Sequence, residues 1–315
     1  MGKKRFIHEL PECGILIEQV AQTRRLRPQM VEKDYWLMHS LWGLQHQKFS
    51  FELKGGTSLS KGFGIIDRFS EDIDIKIEPP AAFKVKVGKN QDSPSHIAGR
   101  VAFYDWLSKE ITMPGISTER DREFDDKKGR NGGIRLNYES RYPMLEGLKT
   151  FVLLEAGFAV TTPNEKRTIS SWLYDAAIAV GLEVQDNRAV AVPCYLPGFT
   201  LIEKLAAISG KFQQEQEGKL MPVNFIRHYY DVYQLLGQKN VQEFIGTSAY
   251  REHKSSRFRK ADQQNLSRNE AFVLEDAKTR EGYSREYERM RVLCYGIFPS
   301  FDSIVERIHE HLTEL

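Results

Sequence analysis

Lys54-Gly55-Gly56-Thr57-Ser58-Leu59-Ser60-Lys61 and, further on, Asp72-Ile73-Asp74-Ile75-Lys76-Ile77 decide how this chain reads. Residues 72–78 alternate charged and apolar side chains, the two-residue period of a half-buried strand, and Pro79-Pro80 end it. Asp72 and Asp74 therefore share one face, while Ile73, Ile75 and Ile77 point into the core. Two carboxylates held about 7 Å apart along a rigid strand repel each other unless a cation lies beside them. Magnesium suits such a pair, because it accepts a few carboxylates and keeps positions open for phosphate oxygens. Metal-bridged phosphates are the setting of phosphoryl and nucleotidyl transfer. An ordinary edge strand shows the same alternation, so the acidic pair alone does not specify a metal.

The residues just upstream add a second element. Residues 51–54 alternate like a short strand and stop at Gly55-Gly56. Two glycines at a strand end let the backbone approach a ligand closely. Residues 57–66 read as a short helix with Thr57 or Ser58 near its N-cap. The free N–H groups and positive dipole end of such a helix favour a triphosphate, and Lys61 adds a charge. Gly55, Gly56, Thr57, Ser58 and Lys61 are thus the candidate nucleotide-binding residues. Strand, Gly-Gly-Thr, short helix and D-x-D in that order are more specific than any one part.

Gly55-Gly56-Thr57-Ser58-Leu59-Ser60-Lys61 followed by Arg68-Phe69-Ser70-Glu71-Asp72-Ile73-Asp74 resembles the signature of the AbiEii/AbiGii toxin family, within the nucleotidyltransferase superfamily. The general superfamily pattern is Gly-[Gly/Ser] followed by D-x-D or D-x-E. Val31-Glu32-Lys33-Asp34-Tyr35-Trp36 is also similar to the helix that precedes the catalytic strand in this family. The resemblance covers roughly residues 30 to 236. It implies an α/β (α+β) nucleotidyltransferase fold with a mixed β-sheet. The activity it implies is Mg2+-dependent transfer of a nucleotide from an NTP, with pyrophosphate release. Relatives modify the 3′ end of tRNA and so stop translation, which makes an RNA acceptor the leading expectation. A cognate antitoxin is implied as well, in a type IV arrangement without direct binding.

The resemblance also implies further site residues. A third carboxylate is expected on a later strand. Glu155 fits in Phe151-Val152-Leu153-Leu154-Glu155, where it shares parity with Phe151 and Leu153, and Glu139 is the rival at another strand end. Its role would be metal binding or activation of the acceptor hydroxyl. A Lys on a helix after the sheet matches Lys204 in Thr200-Leu201-Ile202-Glu203-Lys204, placed to hold the triphosphate as a point charge. An Arg-x-x-x-Asp on the next helix matches Arg227 and Asp231. Without the resemblance these two are an intrahelical ion pair worth a few tenths of a kcal/mol. His228 lacks a second ligand at metal spacing and reads as structural.

The remaining chain sets the organisation. With 315 residues the prior is about two domains. Residues 9–47 and 95–111 read as helical, 114–132 as loop, and 133–139, 149–160 and 189–193 as strands. After Pro197 only helices are expected, over 200–217, 223–236, 266–279 and 299–312. We therefore expect a nucleotidyltransferase domain with N-terminal helices over 1–195 and a helical C-terminal domain over 196–315. Lys plus Arg total 45 and Asp plus Glu 43, a net charge of +2, which excludes a strongly basic coat protein and an acidic solvating tail. One basic cluster stands out: Arg251, Lys254, Arg257, Arg259 and Lys260, the candidate RNA phosphate contacts. A solvated helix face or a loop has the same composition. No run of about 18 apolar residues offers a membrane span. The basic start has no apolar segment behind it, so no secretory signal is expected. Cys13, Cys194 and Cys294 are odd in number and far apart, which fits a reducing cytoplasm. Two other classes stay open. One is the same fold acting on a protein or small-molecule hydroxyl; the other is a catalytically silent nucleotide-binding or interaction module.

Overall fold

A computed structural model describes residues 4–88, 90–143, 145, 147–218, 225–259 and 262–315. The chain divides into two compact units, Met1–Gly62 with Ser70–Tyr195, and Phe63–Phe69 with Leu196–Leu315. A contiguous division at residue 195 does not provide for the short segment Phe63–Phe69, which belongs with the second unit.

The first unit is built on a mixed seven-stranded sheet in the order β3-β4-β5-β2-β1-β7-β6. Its strands are β1 (Phe51–Lys54), β2 (Asp72–Ile77), β3 (Ile116–Asp121), β4 (Asn131–Tyr138), β5 (Val152–Gly157), β6 (Asn164–Ile169) and β7 (Ala189–Tyr195). Two pairings are parallel, β2 with β5 and β1 with β7; the others are antiparallel. Ile73, Ile75, Ile134, Leu136 and Leu154 are fully buried, and the register places them on one face. Helices α2 (Pro28–His46) and α4 (Pro94–Glu110) cover that face. Trp36 of α2 stacks on Tyr138 of β4 at 5.2 Å. The Tyr104 ring of α4 lies so close to Gly132 that a Cβ there would sit 2.5 Å from it. Both helices open on proline at the first turn, where its fixed φ costs no hydrogen bond. Helices α1 (Cys13–Arg24) and α5 (Trp172–Ala179) pack on α2.

Several expectations need correction. The loop expected over 114–132 contains β3, an edge strand of alternating half-buried and exposed residues. Strand β6 and helix α5 were not expected, and 149–160 shortens to β5. The helix expected over 57–66 is a single turn, α3 (Gly55–Thr57), running into a wider π-type turn at Ser58–Gly62.

The second unit is helical. Helix α6 (Pro197–Gln216) buries Leu201, Ile202, Leu205 and Ile208 completely. Packed on it are α7 (Arg227–Leu236), α8 (Lys239–Phe244), α9 (Ser248–Arg257) and α10 (Glu270–Val273). Helices α11 (Ala277–Arg289) and α12 (Phe301–His311) complete the unit, and α12 packs on α7. The continuous helix expected over 266–279 is broken into a short turn at Leu266–Arg268, α10 and the start of α11. Part of the helix expected over 223–236 lies outside the described residues. Among the described residues no helix is long and apolar enough to cross a membrane.

Candidate active site

The sheet register assembles the acids of the first unit. Lys54 of β1 stands opposite Asp74 of β2, and Asp74 stands beside Glu155 of β5. Lys54, Asp74 and Glu155 therefore form one row across three adjacent strands. Asp72 lies on the same face, two residues along β2. Burial pushes the Glu155 carboxyl up to about 7, and the negative charges of Asp74 and Asp72 push the same way against Lys54 and Lys149. Burial also raises Asp72, although the Lys149 ammonium lies 2.6 Å from its Oδ1. Glu139 is exposed just beyond the end of β4, outside that row, so the register brings Glu155 and not Glu139 beside Asp74.

The glycine turn is built around Asp74. Gly55 has φ +72°, and a Cβ there would lie 2.3 Å from Asp74 Oδ2. Only glycine accepts both the left-handed backbone and this approach. Thr57 Oγ1 donates to the carbonyl of Asp72 at 2.5 Å and so ties the turn to β2. Gly56 and Ser58 are buried beside it. Lys61 is committed elsewhere: its ammonium pairs with Asp34 Oδ1 at 2.7 Å and sits over the Trp172 ring at 4.6 Å. A triphosphate role for Lys61 has to compete with that pair.

The sequence reading took Val31–Trp36 for a helix similar to the one that precedes the catalytic strand in the family and gave its charges no role, but each of them holds a separate part of the unit. Glu32 accepts from Ser140 Oγ at 2.6 Å and from the backbone N–H of Arg141 at 3.0 Å. Lys33, with no exposed surface, pairs with Glu71 at 2.9 Å and donates to the Lys149 carbonyl at 2.6 Å. Glu71 Oε2 in turn accepts from the Lys149 N–H at 2.8 Å. Asp34 takes Lys61 and the N–H of Trp172, the latter at 2.8 Å. Lys33, Glu71 and Lys149 escaped the sequence reading because partners this far apart in sequence leave no local pattern. The one available signal was three consecutive charged residues inside an apolar helix.

In the second unit Asp231 has no exposed surface and carries two cations. Arg68 grips it with two bonds, Nε to Oδ1 at 2.6 Å and Nη2 to Oδ2 at 2.8 Å. Lys204 Nζ is 3.0 Å from Oδ2. Burial pushes the Asp231 carboxyl up, but Arg68 and Lys204 outweigh it and hold the group well below the usual carboxylate range. Burial lowers Lys204, with Asp231 working against it. The His228 Nδ1 lies 3.5 Å from the Lys204 ammonium, and burial followed by that charge keeps the imidazole neutral. The intrahelical Arg227–Asp231 pair is thus replaced: the partner of Asp231 is Arg68, from the segment that leads into the D-x-D strand.

The basic cluster is largely spoken for within the second unit. Arg257 pairs with Glu203 at 2.7 Å and Arg259 with Asp262 at 2.9 Å. Lys254 donates to the carbonyl of Leu315, and Arg251, which is exposed, to that of Gly246. Lys260 lies outside the described residues.

Among the described residues no group of three or more His, Cys, Asp or Glu side chains stands close enough together to hold a metal ion. The donor set nonetheless suits magnesium in kind. Asp72, Asp74 and Glu155 offer only hard oxygen ligands; burial is the main cause of the raised Glu155 carboxyl, and a divalent cation would relieve the part that the charges of Asp74 and Asp72 add.

A family model described as nucleotidyl transferase AbiEii toxin, type IV TA system, matches residues 39–307. No curated protein matches the chain.

Proposed function

The chain belongs to the AbiEii nucleotidyl transferase toxin family, and from that membership we propose that it transfers a nucleotide from an NTP to a hydroxyl at an RNA 3′ end, such as that of tRNA. The acceptor oxygen forms a bond to the α-phosphorus, the bond from that phosphorus to the bridging oxygen of the β-phosphate breaks, and pyrophosphate leaves. The observation that carries this reading is the row of Asp74 and Glu155 with Asp72 on the same face, closed by the Gly55 turn.

Asp72 and Asp74 are assigned to hold Mg2+, whose charge would stabilise the phosphate oxygens. Glu155 is assigned to take the proton of the acceptor hydroxyl, since a carboxyl titrating at about 7 both accepts and releases protons near neutrality. Gly55, Gly56, Thr57 and Ser58 supply a backbone cradle for phosphates. Lys204 is assigned to the triphosphate and Asp231, with Arg68, to holding Lys204 in place. In this reading residues 1–195 carry the acidic row and the glycine turn, residues 196–315 carry Lys204 and Asp231, and the protein works in the cytoplasm with a cognate antitoxin of the family's type IV arrangement.

One observation favours a second reading, in which the acceptor is a protein or small-molecule hydroxyl. The internal pairing of Arg257 and Arg259 leaves that cluster less charge for RNA phosphates. Pyrophosphate release from each NTP, measured with and without total RNA, separates the two. Release that requires RNA and is lost in Asp74→Asn supports RNA transfer. Equal release without RNA supports the second reading, and release undiminished in Asp74→Asn removes both.

A further inference from the structure

Lys149 is a cation placed where the metal is expected. Its Nζ lies 2.6 Å from Oδ1 of Asp72, on a side chain only 24% exposed. Its backbone is clamped on both sides: the N–H donates to Glu71 Oε2 at 2.8 Å, and the carbonyl accepts from Lys33 Nζ at 2.6 Å. Lys33 and Glu71 are themselves a buried ion pair at 2.9 Å. The Lys149 ammonium also stands 5.5 Å from the centre of the Phe124 ring. A surface lysine has none of this support, and a long side chain without it gains little from an ion pair.

We propose that Lys149 is a built-in counter-ion for the acidic row, holding Asp72 in the metal-free protein and yielding that carboxylate when a divalent cation enters. The inference rests on the metal-site reading given above. Its physical content is competition. A divalent ion binding Asp72 must displace an ammonium already paired with it, and the displaced ammonium stays close enough to repel the ion. Free metal is therefore bound weakly. A metal arriving with a nucleotide is less handicapped, because the phosphates give the released ammonium a new anion to pair with. The device would keep the row neutralised without metal and couple metal entry to substrate.

The test is Mn2+ binding followed by the electron paramagnetic resonance signal of the free ion, without nucleotide. The proteins are wild type, Lys149→Met, Lys149→Arg and Asp74→Asn. Lys149→Met removes the charge and keeps the length. The expected result is Mn2+ bound about ten-fold more tightly by Lys149→Met than by wild type, with Lys149→Arg close to wild type. Adding a non-hydrolysable NTP should narrow or reverse that difference. Equal Mn2+ affinity in wild type and Lys149→Met, with binding lost in Asp74→Asn, overturns this proposal and leaves the metal site standing. Absence of Mn2+ binding in wild type and Lys149→Met alike, with nucleotide and without, overturns the metal site and the proposal together.

Discussion

Asp231 and Lys204 touch each other, yet their substitution should have different consequences. Asp231→Ala leaves Arg68 buried without its carboxylate, and losing one partner of a buried pair costs about 3–5 kcal/mol. Urea unfolding should register that loss, and a change below about 1 kcal/mol would show that the pair is not a structural anchor. Lys204→Met keeps the Arg68–Asp231 bonds, so the fold should survive. Removing a cation that stabilises developing phosphate charge should still lower transfer by about 10²–10³-fold. Transfer at wild-type rate in a folded Lys204→Met protein would end the triphosphate role. At this scale the sequence disclosed whatever has a local period. Asp72 and Asp74 were legible from a strand alternation, whereas Glu155 was one of two candidates, with Glu139, for a third acid that the family resemblance implied. Arg68, Lys33 and Lys149 were not, because their meaning lies in partners brought together only by folding. The pairing of Lys61 with Asp34 was not legible either, since it has no signature in the glycine motif.

Among the elements, the turn at Gly55 is the most exacting. Ala at this position must adopt φ +72° and place its Cβ 2.3 Å from Asp74 Oδ2. Gly55→Ala should cost about 1–3 kcal/mol of stability from the backbone conformation, and should displace the Asp74 carboxylate. Mn2+ affinity should fall along with transfer, and unchanged values of both would mean that the turn does not position Asp74. The elements that escaped the sequence are instructive for a different reason. Strands β3 (Ile-Ser-Thr-Glu-Arg-Asp) and β6 (Asn-Glu-Lys-Arg-Thr-Ile) are the two edges of the sheet. Edge strands are protected against pairing with other chains by charge, so they lack the apolar alternation by which interior strands are recognised. In β3 the order comes instead from ion pairs: Arg120 with Asp125 at 2.6 Å, and Asp121 with Arg135 at 2.5 Å. The central strands, apolar on at least one face, were found.

For the molecule as a whole, buried titratable groups set how stability responds to acid. His39 of α2 is held neutral by two bonds, its Nε2 donating to the Pro114 carbonyl at 3.0 Å and its Nδ1 accepting from Asn187 at 3.1 Å. Burial, then the neighbouring His8, lowers its pKa to about 4, below the value near 6.5 of an unfolded histidine. Its contribution is complete above about pH 6.5 and lost as the pH falls toward 4. Asp231 acts below that range, because its folded value is depressed. Its contribution is present above about pH 4, the unfolded carboxylate value, and is lost as the pH falls further toward the folded value. The raised Glu155 carboxyl takes up its proton over the same range and works the other way, so the contribution of His39 reads out as a difference: from pH 6.5 to 4 the urea midpoint of His39→Gln should shift upward relative to wild type, and parallel curves would remove His39 as a contributor. The family of the whole chain was legible because two short motifs stand in the right order, whereas the acceptor was not. Charge composition alone drew attention to residues 251–260, and folding spends several of those charges on Glu203, Asp262 and the carbonyl of Leu315. The most direct test of nucleotide transfer by the acidic row uses the purified protein, Mg2+, total RNA and each of the four α-³²P-labelled NTPs in turn, resolved on a gel beside Asp72→Ala and Asp74→Ala. The expected result is a labelled tRNA-sized band with wild type and one or more NTPs, absent from both variants. The same band at wild-type intensity in the variants would contradict it.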